Sequence, residues 1–215
     1  MKRKTLRLCA LGDSLTTGYV STGGFLGAPE YHPYTRVFER HLPASIEIVN
    51  FGLDGDLTSG ILQRFQTQVL PKAPHCLTLC GGANDLGWEL GVEPPLENLT
   101  RVVQMAKERE LAVVVGGVPP IEACFMGPKP LDPEEEPAAT RQRREINASL
   151  EESVRRYGGR QARLFYADLF TPLSTAQGLL DPGYSSDGLH LNAEGYRVMG
   201  EAFLPWVKEA LAPYL

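Results

Sequence analysis

Short apolar runs alternate along this chain with longer segments in which apolar residues recur every three or four positions. Five runs are almost continuously apolar and predict strands, at 5–12, 45–52, 75–82, 111–117 and 162–168. Continuous apolar runs of this length are typical of parallel strands that are covered on both faces, whereas strands with one wet face alternate polar and apolar residues. The sequence therefore predicts a buried, mainly parallel sheet of five strands.

The intervening segments predict amphipathic helices at 95–109, 138–157 and 192–211. In the second of these, Ile146, Leu150 and Val154 form one apolar stripe, and Asn192 is a suitable N-cap for the third. Regular alternation of strand and helix favours a three-layer α/β/α sandwich of the flavodoxin-like kind. No repeat or linker interrupts the alternation, so we expect one domain over residues 1–215.

Two long stretches, 18–34 and 118–137, interrupt this regularity. Each follows a predicted strand and its turn, so both lie at the carboxyl edge of the sheet, where α/β proteins place their binding sites. Long loops within a compact domain are more often functional than idle. We therefore expect these two stretches to border a site.

A serine at one end of the chain and an Asp–His pair at the other are the candidates for chemistry. Ser14 directly follows the first strand, on a sharp turn that would present its Oγ atom at the sheet edge. A serine nucleophile needs a base, and the base needs a partner that fixes its tautomer. Asp187 and His190, three residues apart on one short segment, can supply both. The other histidines lie in a loop, near the end of a predicted helix and at the amino end of a strand: His32, His41 and His75.

Other polar or nucleophilic residues near this edge have simpler explanations. Asp13 and Asp85 lie beside the expected pocket, and we expect them to brace turns through backbone hydrogen bonds. Cys80 ends the third strand, and a small buried thiol is the better interpretation than a nucleophile. The four cysteines contain no CxxC pair, and no HExxH motif, Walker loop or GxGxxG fingerprint is present. The sequence thus indicates reduced thiols, no metal and no bound nucleotide.

Charge and hydropathy narrow the function further. A formal net charge of −5 argues against a binder of nucleic-acid phosphates, which needs a basic stripe. The apolar stretch near the start, Leu8 to Leu11, is too short for an export signal, and no window reaches the roughly 18 apolar residues of a membrane span. We therefore expect a cytoplasmic protein without a membrane span; the sequence does not indicate its oligomeric state.

Four motifs, in order, resemble the four blocks of the GDSL, or SGNH, hydrolase family. They are GDSLT at 12–16, VNFGLDGDLTSG after the second strand, GGANDL after the third, and DGLHLNAEGY near the end. The resemblance implies that Ser14 is the nucleophile, His190 the general base and then acid, and Asp187 the residue that orients the imidazole. It also implies an oxyanion hole made of the Ser14 amide, a glycine amide and the Asn84 side chain, with no cofactor.

The glycine motif offers two candidates for the oxyanion amide. Gly55 precedes Asp56 and a helix start, where its amide would point outward toward an anion, whereas Gly52 is better suited to the turn itself. We therefore predict Gly55. The neighbouring carboxylate of Asp54 would hinder an oxyanion if it turned inward, so we expect it to face solvent or a partner.

The resemblance implies a hydrolase of carboxylic esters with a broad choice of substrates. The sequence has no lipid-seeking amphipathic segment, which favours small soluble esters over lipids at an interface. Carbohydrate O-deacetylation, lysophospholipid or thioester hydrolysis on the same site remain alternatives, and a non-catalytic α/β binding module is a further one. The two long stretches would shape the acyl and alcohol sites. Candidate walls are Phe25, Tyr31, Trp88, Phe125, Met126 and Tyr184.

Overall fold

Five parallel strands form the sheet that the apolar runs predict. The computed structural model describes residues 5–22, 28–122 and 136–215. The strands are β1 (Leu6–Gly12), β2 (Tyr19–Val20), β3 (Glu30–Tyr31), β4 (Ile46–Gly52), β5 (Cys76–Leu79), β6 (Ala112–Gly116) and β7 (Leu164–Ala167). The main sheet has the order β4-β1-β5-β6-β7, and all its pairings are parallel. The predicted five-stranded parallel sheet is confirmed.

Helices cover both faces of this sheet, which confirms the α/β/α arrangement. They are α1 (Ser14–Thr17), α2 (Thr35–His41), α3 (Thr58–Arg64), α4 (Ala83–Gly87), α5 (Glu93–Lys107), α6 (Ala138–Arg156) and α7 (Ala193–Leu211). Helix α2 packs against α7, whereas α3, α5 and α6 contact one another in turn. The three predicted helices, at 95–109, 138–157 and 192–211, match α5, α6 and α7 to within two residues at each end.

Burial explains why the strands are continuously apolar. Val113, Val114 and Val115 of β6 are all fully buried although their side chains alternate between faces, because helices cover both sides. Burying such a side chain contributes roughly 1.5–3 kcal/mol relative to leaving it in water. The loops at the carboxyl ends of the central strands are therefore anchored to a fully buried part of the sheet.

The register of the strands brings three loops together at that edge. Gly12, the last residue of β1, pairs with Gly52 at the end of β4, and Leu11 pairs with Leu79 at the end of β5. The residues after these three strands therefore meet on the β4 side of the carboxyl edge of the sheet. This edge carries the segments that contain Ser14, Gly55 and Asn84.

The structure describes parts of both long stretches. Stretch 18–34 contains a small antiparallel pair, β2 with β3, and its residues 23–27 lie outside the described part. Of stretch 118–137, the structure describes 118–122 and 136–137. Among the residues it describes, no helix is long and apolar enough to cross a membrane.

Candidate active site

Ser14 stands on a tight turn between β1 and α1. The preceding residue, Asp13, caps the helix by accepting a 2.9 Å hydrogen bond from the Leu15 amide, and Gly18 ends the helix in a left-handed conformation with φ +82°. Only 7% of Ser14 is exposed. A serine held at the first position of a helix is positioned by backbone geometry, because its own side chain makes no capping bond.

His190 and Asp187 complete a hydrogen-bonded chain with this serine. The Oγ atom of Ser14 lies 3.1 Å from Nε2 of His190, and Nδ1 of His190 lies 2.8 Å from Oδ2 of Asp187. Ser14 and His190 are 176 positions apart in sequence. Both distances are within the range needed for a nucleophile, its base and the group that orients the base.

The segment that carries His190 is held by short-range hydrogen bonds. Oδ1 of Asp187 accepts the amides of Leu189 (3.0 Å) and His190 (2.7 Å), and the Ser186 amide donates to the His190 carbonyl (2.9 Å). Partial burial raises the pKa of Asp187, but these amides and the His190 side chain outweigh it and hold the pKa below its usual value. The carboxylate therefore stays charged opposite the imidazole.

Tyr19 is a site neighbour that sequence analysis did not identify. Its ring lies against the His190 imidazole, with centroids 4.6 Å apart and the planes tilted by 55°. The Tyr196 hydroxyl donates a 2.7 Å hydrogen bond to the Tyr19 carbonyl and so ties β2 to α7. A tyrosine five residues after the candidate nucleophile has no distinctive spacing, so only the fold reveals the contact.

The two candidate glycines differ clearly in what their amides do. The Gly52 amide already donates a 2.8 Å hydrogen bond to Oδ1 of Asn50. A Cβ atom on Gly52 would lie 2.4 Å from the Thr17 nitrogen, so this glycine allows the close approach of α1. Gly55 has φ +75° and open space around it, and in the described structure no acceptor binds its amide.

Asn84 is the second residue of α4 and faces the Gly55 loop. Its side-chain Nδ2 donates a 2.9 Å hydrogen bond to the Asp56 carbonyl, which fixes the direction of the amide group. One hydrogen of a primary amide is used in this bond, and the other is left to donate elsewhere. The three predicted oxyanion donors thus lie on adjacent loops at the carboxyl ends of β1, β4 and β5.

The side chain of Arg64 connects these loops, and it is a second residue that the sequence did not reveal. Its guanidinium binds the Asp56 carboxylate and donates to the carbonyls of Gly12 (2.8 Å) and Phe51. The side chains of Arg64 and Asp56 are only 11% and 12% exposed. One buried cation therefore links the ends of β1 and β4 to the Gly55–Asp56 turn. No motif marks an arginine eight residues after an aspartate, so the sequence alone does not reveal the pair.

Asp13 and Asp85 make the bracing hydrogen bonds expected of them. Asp85 accepts from the Thr58 amide (3.1 Å) and hydroxyl (2.7 Å), which fixes the start of α3 against α4. Asp13 is fully buried, and its Oδ2 atom has no hydrogen-bond partner within the described structure. Burial raises the pKa of Asp13 to about 7, and the nearby charge of Asp85 adds to this effect.

The Asp54 carboxylate has two partners and does not turn toward the Gly55 amide. The Thr17 hydroxyl donates to its Oδ1 atom, and the Tyr31 hydroxyl donates to its Oδ2 atom at 2.9 Å. This matches the expectation that Asp54 faces solvent or a partner. Tyr31 thereby acts on Asp54, in addition to any role as a pocket wall.

The three cysteines within the described residues do not form a nucleophilic or metal site. Cys9, Cys76 and Cys80 are free and buried, and burial raises the pKa of the Cys80 thiol well above its usual value. A thiol in such surroundings is unreactive. Cys124 lies outside the described residues. Across 5–22, 28–122 and 136–215, no cluster of three or more His, Cys, Asp or Glu could hold a metal ion.

A cavity of about 800 Å³ lies beside Asn84 and Leu189, the neighbour of His190. Of the six predicted wall residues, Trp88 lines this cavity and is 73% exposed. Tyr184 packs against the hydrophobic core, and Phe25, Phe125 and Met126 lie outside the described residues. Arg143, a buried residue of α6, also lines the cavity and was not identified from the sequence.

Solved structures with a similar fold cover almost the whole chain. A lipase/acylhydrolase from Enterococcus faecalis has a TM-score of 0.70 at 23% identity over 94% of this chain and 95% of its own. An acetylxylan esterase from Geobacillus stearothermophilus has a TM-score of 0.70 at 17% identity, covering 94% of each chain. A carbohydrate acetylesterase family member from Sinorhizobium meliloti has a TM-score of 0.68 at 17% identity over 96% of this chain and 99% of its own.

The family itself follows from a match in sequence. No curated protein matches the chain at a significant level. The model of the GDSL-like Lipase/Acylhydrolase family matches residues 10–198, which include all four motifs and the three residues of the hydrogen-bonded chain. The chain therefore belongs to the GDSL-like lipase/acylhydrolase family.

Proposed function

We propose that this protein is a serine hydrolase that cleaves carboxylic esters through an acyl-enzyme. The observation that carries the proposal is the chain of contacts from Ser14 Oγ to His190 Nε2 (3.1 Å) and from His190 Nδ1 to Asp187 Oδ2 (2.8 Å). In this mechanism His190 takes the hydroxyl proton as Ser14 attacks the acyl carbonyl, and then protonates the leaving alcohol. Water, activated by the same histidine, releases the acid and restores the serine.

The oxyanion of each tetrahedral intermediate would be held by the Ser14 amide, the Gly55 amide and the Asn84 side chain. Gly55 is preferred to Gly52 because the Gly52 amide is already bound by Asn50. Donors fixed in advance stabilise developing charge without reorganisation, and removing one such donor typically reduces the rate about 100- to 1,000-fold. The hydrogen bond from Asn84 to Asp56 supplies this fixation for the side-chain donor.

Small soluble esters are the proposed substrates, and carbohydrate O-deacetylation is the second candidate. Two similar structures are an acetylxylan esterase and a carbohydrate acetylesterase family member. In this chain, the exposed ring of Trp88 at the cavity beside Asn84 offers an apolar face for a bulky alcohol group. Hydrolysis rates on p-nitrophenyl esters from acetate to palmitate, compared with those on acetylated xylan and sugar acetates, separate the candidates.

Labelling by a fluorophosphonate probe tests the nucleophile directly. The probe should label the wild-type protein, Ser14→Ala should abolish labelling, and Ser59→Ala, at an exposed position of α3, should leave it unchanged. In parallel, His190→Ala should lower ester turnover by several orders of magnitude with the circular dichroism spectrum unchanged. Labelling that survives Ser14→Ala, or turnover in His190→Ala within about tenfold of wild type, contradicts the proposal.

A further inference from the structure

Arg143 is a buried cation without a carboxylate partner in the described structure. It projects from α6, is 3% exposed, and lines the cavity beside Asn84. Its Nε atom donates to the Pro119 carbonyl and its Nη1 atom to the Ala139 carbonyl, both at 3.1 Å. Burial lowers the pKa of Arg143 to about 10, so the side chain keeps its charge at neutral pH. Buried charges are normally paired, because an uncompensated one is costly.

Arg64, another buried arginine, has a structural role, and its contacts can be compared with those of Arg143. Arg64 also donates to two backbone carbonyls, but its guanidinium is neutralised by Asp56. Arg143 has the carbonyl bonds and lacks the carboxylate. In the described residues its Nη2 atom and one hydrogen of Nη1 have no acceptor. Nη2 can therefore donate to a ligand in the cavity, and a guanidinium commonly binds a carboxylate through two parallel hydrogen bonds.

A second electropositive feature lines the same cavity. Pro137, Ala138 and Ala139, at the start of the 19-residue helix α6, belong to its wall. This helix start has no side-chain cap and no acidic residue in its first turn. Helix N-termini favour anions because their first amides are unpaired and the dipole is positive there. Glu136, just before the helix, pairs with the exposed Arg144 at 2.8 Å.

The cavity continues to the candidate catalytic residues, since Asn84 and Leu189 are part of its wall. Its one carboxylate in the described lining, Glu89, is exposed beside Trp88 and makes no ion pair with Arg143. A molecule that occupies this cavity can therefore contact Arg143 and the start of α6 at one end and Asn84 at the other.

We propose that the substrate carries a carboxylate in addition to its ester bond, and that Arg143, with the N-terminus of α6, binds this carboxylate. The inference rests on the proposed ester hydrolysis. The carboxylate can belong either to the acyl half or to the alcohol half of the ester. The experiment therefore has an arm for each.

In the acyl arm, the mono-p-nitrophenyl esters of succinic, glutaric and adipic acids are compared with their methyl-capped neutral diesters. In the alcohol arm, 4-acetoxybenzoate is compared with its methyl ester. Wild-type kcat/KM should favour the carboxylate form at least tenfold in one arm. Arg143→Met should remove this preference and bring the kcat/KM values of the charged and neutral forms to within about threefold of each other. Arg144→Met, its exposed neighbour on α6, should leave the preference intact.

A binding measurement tests the carboxylate site without relying on catalysis. Monomethyl glutarate should raise the Tm of Ser14→Ala, and the additional change Arg143→Met should abolish the rise. Arg143→Lys, which keeps the charge but not the planar fork, serves if Arg143→Met does not fold, and it should lose most of the preference.

The two proposals fail in different ways. Equal rates on charged and neutral esters in both arms, without a rise in Tm, overturn the carboxylate site and leave ester hydrolysis standing. A carboxylate preference that persists in Arg143→Met also overturns it. If no ester is cleaved but monomethyl glutarate still raises Tm through Arg143, the anion site stands and the hydrolase proposal fails.

Discussion

Two regions converge on the candidate active site, and they are held in opposite ways. The sheet-edge region, with Ser14, Gly55 and Asn84, is fixed by buried contacts between residues far apart in sequence, such as Arg64 to the Gly12 carbonyl. The loop at 185–192 is fixed mainly by hydrogen bonds within four residues, and His190 and Asp187 are partly exposed. The sheet edge is thus anchored by buried long-range contacts. The loop is shaped mainly by its own hydrogen bonds and is tied to the rest of the fold at a few points, such as the bond from the Glu122 amide to the Gly188 carbonyl.

Because of this difference, we expect substitutions at the sheet edge to lower mainly the stability of the protein and substitutions in the loop to lower mainly its activity. Buried polar groups carry a large penalty when a partner is removed, because the remaining group stays away from water. Partly exposed groups, such as the side chains of Asp187 and His190, regain water when a partner is removed, so less stability is lost. Removing one charged partner from each region should therefore give opposite outcomes.

The largest expected effect is on catalysis, from Asp187→Asn in the loop. An asparagine can keep the backbone hydrogen bonds but would stabilise the wrong imidazole tautomer and no longer balance the imidazolium. In a serine protease with a Ser-His-Asp triad, the corresponding Asp-to-Asn change lowers kcat about 10⁴-fold. We expect a loss of about that size in ester turnover with Tm nearly unchanged, measured by steady-state kinetics and thermal unfolding.

The paired control is Asp168→Asn, an exposed carboxylate that caps a turn after β7 through the Phe170 and Thr171 amides. It should leave kcat unchanged. If Asp187→Asn retains more than about a tenth of wild-type turnover, Asp187 does not orient the base.

The second effect is on stability, from Arg64→Met at the sheet edge. This change removes the guanidinium from the buried Asp56 carboxylate and from the Phe51 and Gly12 carbonyls, of which Gly12 keeps the Leu53 amide as a donor. Breaking a buried ion pair from one side typically costs about 3–5 kcal/mol. We expect a loss of that order in the free energy of unfolding, measured by urea denaturation.

Arg7→Met is the matched control, because Arg7 pairs with Glu47 at a partly exposed position on the opposite end of β1 and β4. Exposed pairs contribute about 0–1 kcal/mol, so this variant should unfold nearly as the wild type does. Equal losses in the two variants would show that burial does not set the strength of the Arg64 contacts.

The same contrast explains what the sequence could reveal. Strand and helix positions were predictable because burial on both faces leaves continuous apolar runs, as in Val113–Val115. The Asp187–His190 pair was visible because its contacts are local. Arg64 and Tyr19 were invisible because their contacts depend on strand register and helix packing. Arg143 differs from these two residues, because the sequence places it, a charged residue, on the apolar stripe of α6.

Gly55 illustrates an intermediate case. The sequence narrowed the oxyanion amide to two glycines of one motif and favoured Gly55 from its place before a helix. The deciding contact, from the Gly52 amide to Asn50, depends on a side chain whose direction no motif specifies. The choice remains a proposal, and the occupied Gly52 amide supports it.

The smallest of the three effects concerns pH and the carboxyls of the two regions. Burial raises the pKa of Asp13 to about 7, whereas hydrogen bonds lower that of Asp187. Between its unfolded and folded pKa values Asp13 is ionised only when the chain unfolds, so the folded state binds more protons and stability falls as pH rises. The shift from 3.8 to about 7 corresponds to at most about 4 kcal/mol.

Asp13→Asn should therefore gain stability relative to the wild type as the pH is raised from about 4.5 to about 8, because an amide keeps the acceptor for the Leu15 amide and carries no charge to desolvate. Urea denaturation at three pH values measures the difference. Asp187→Asn provides the opposite sign: its wild-type carboxyl has a lowered pKa, so the stability it contributes is lost only as the pH falls into the acid range. If the difference in the free energy of unfolding between Asp13→Asn and wild type does not depend on pH, Asp13 is ionised in the folded protein across this range. A hydrogen-bond donor at the sheet edge would then stabilise its charge.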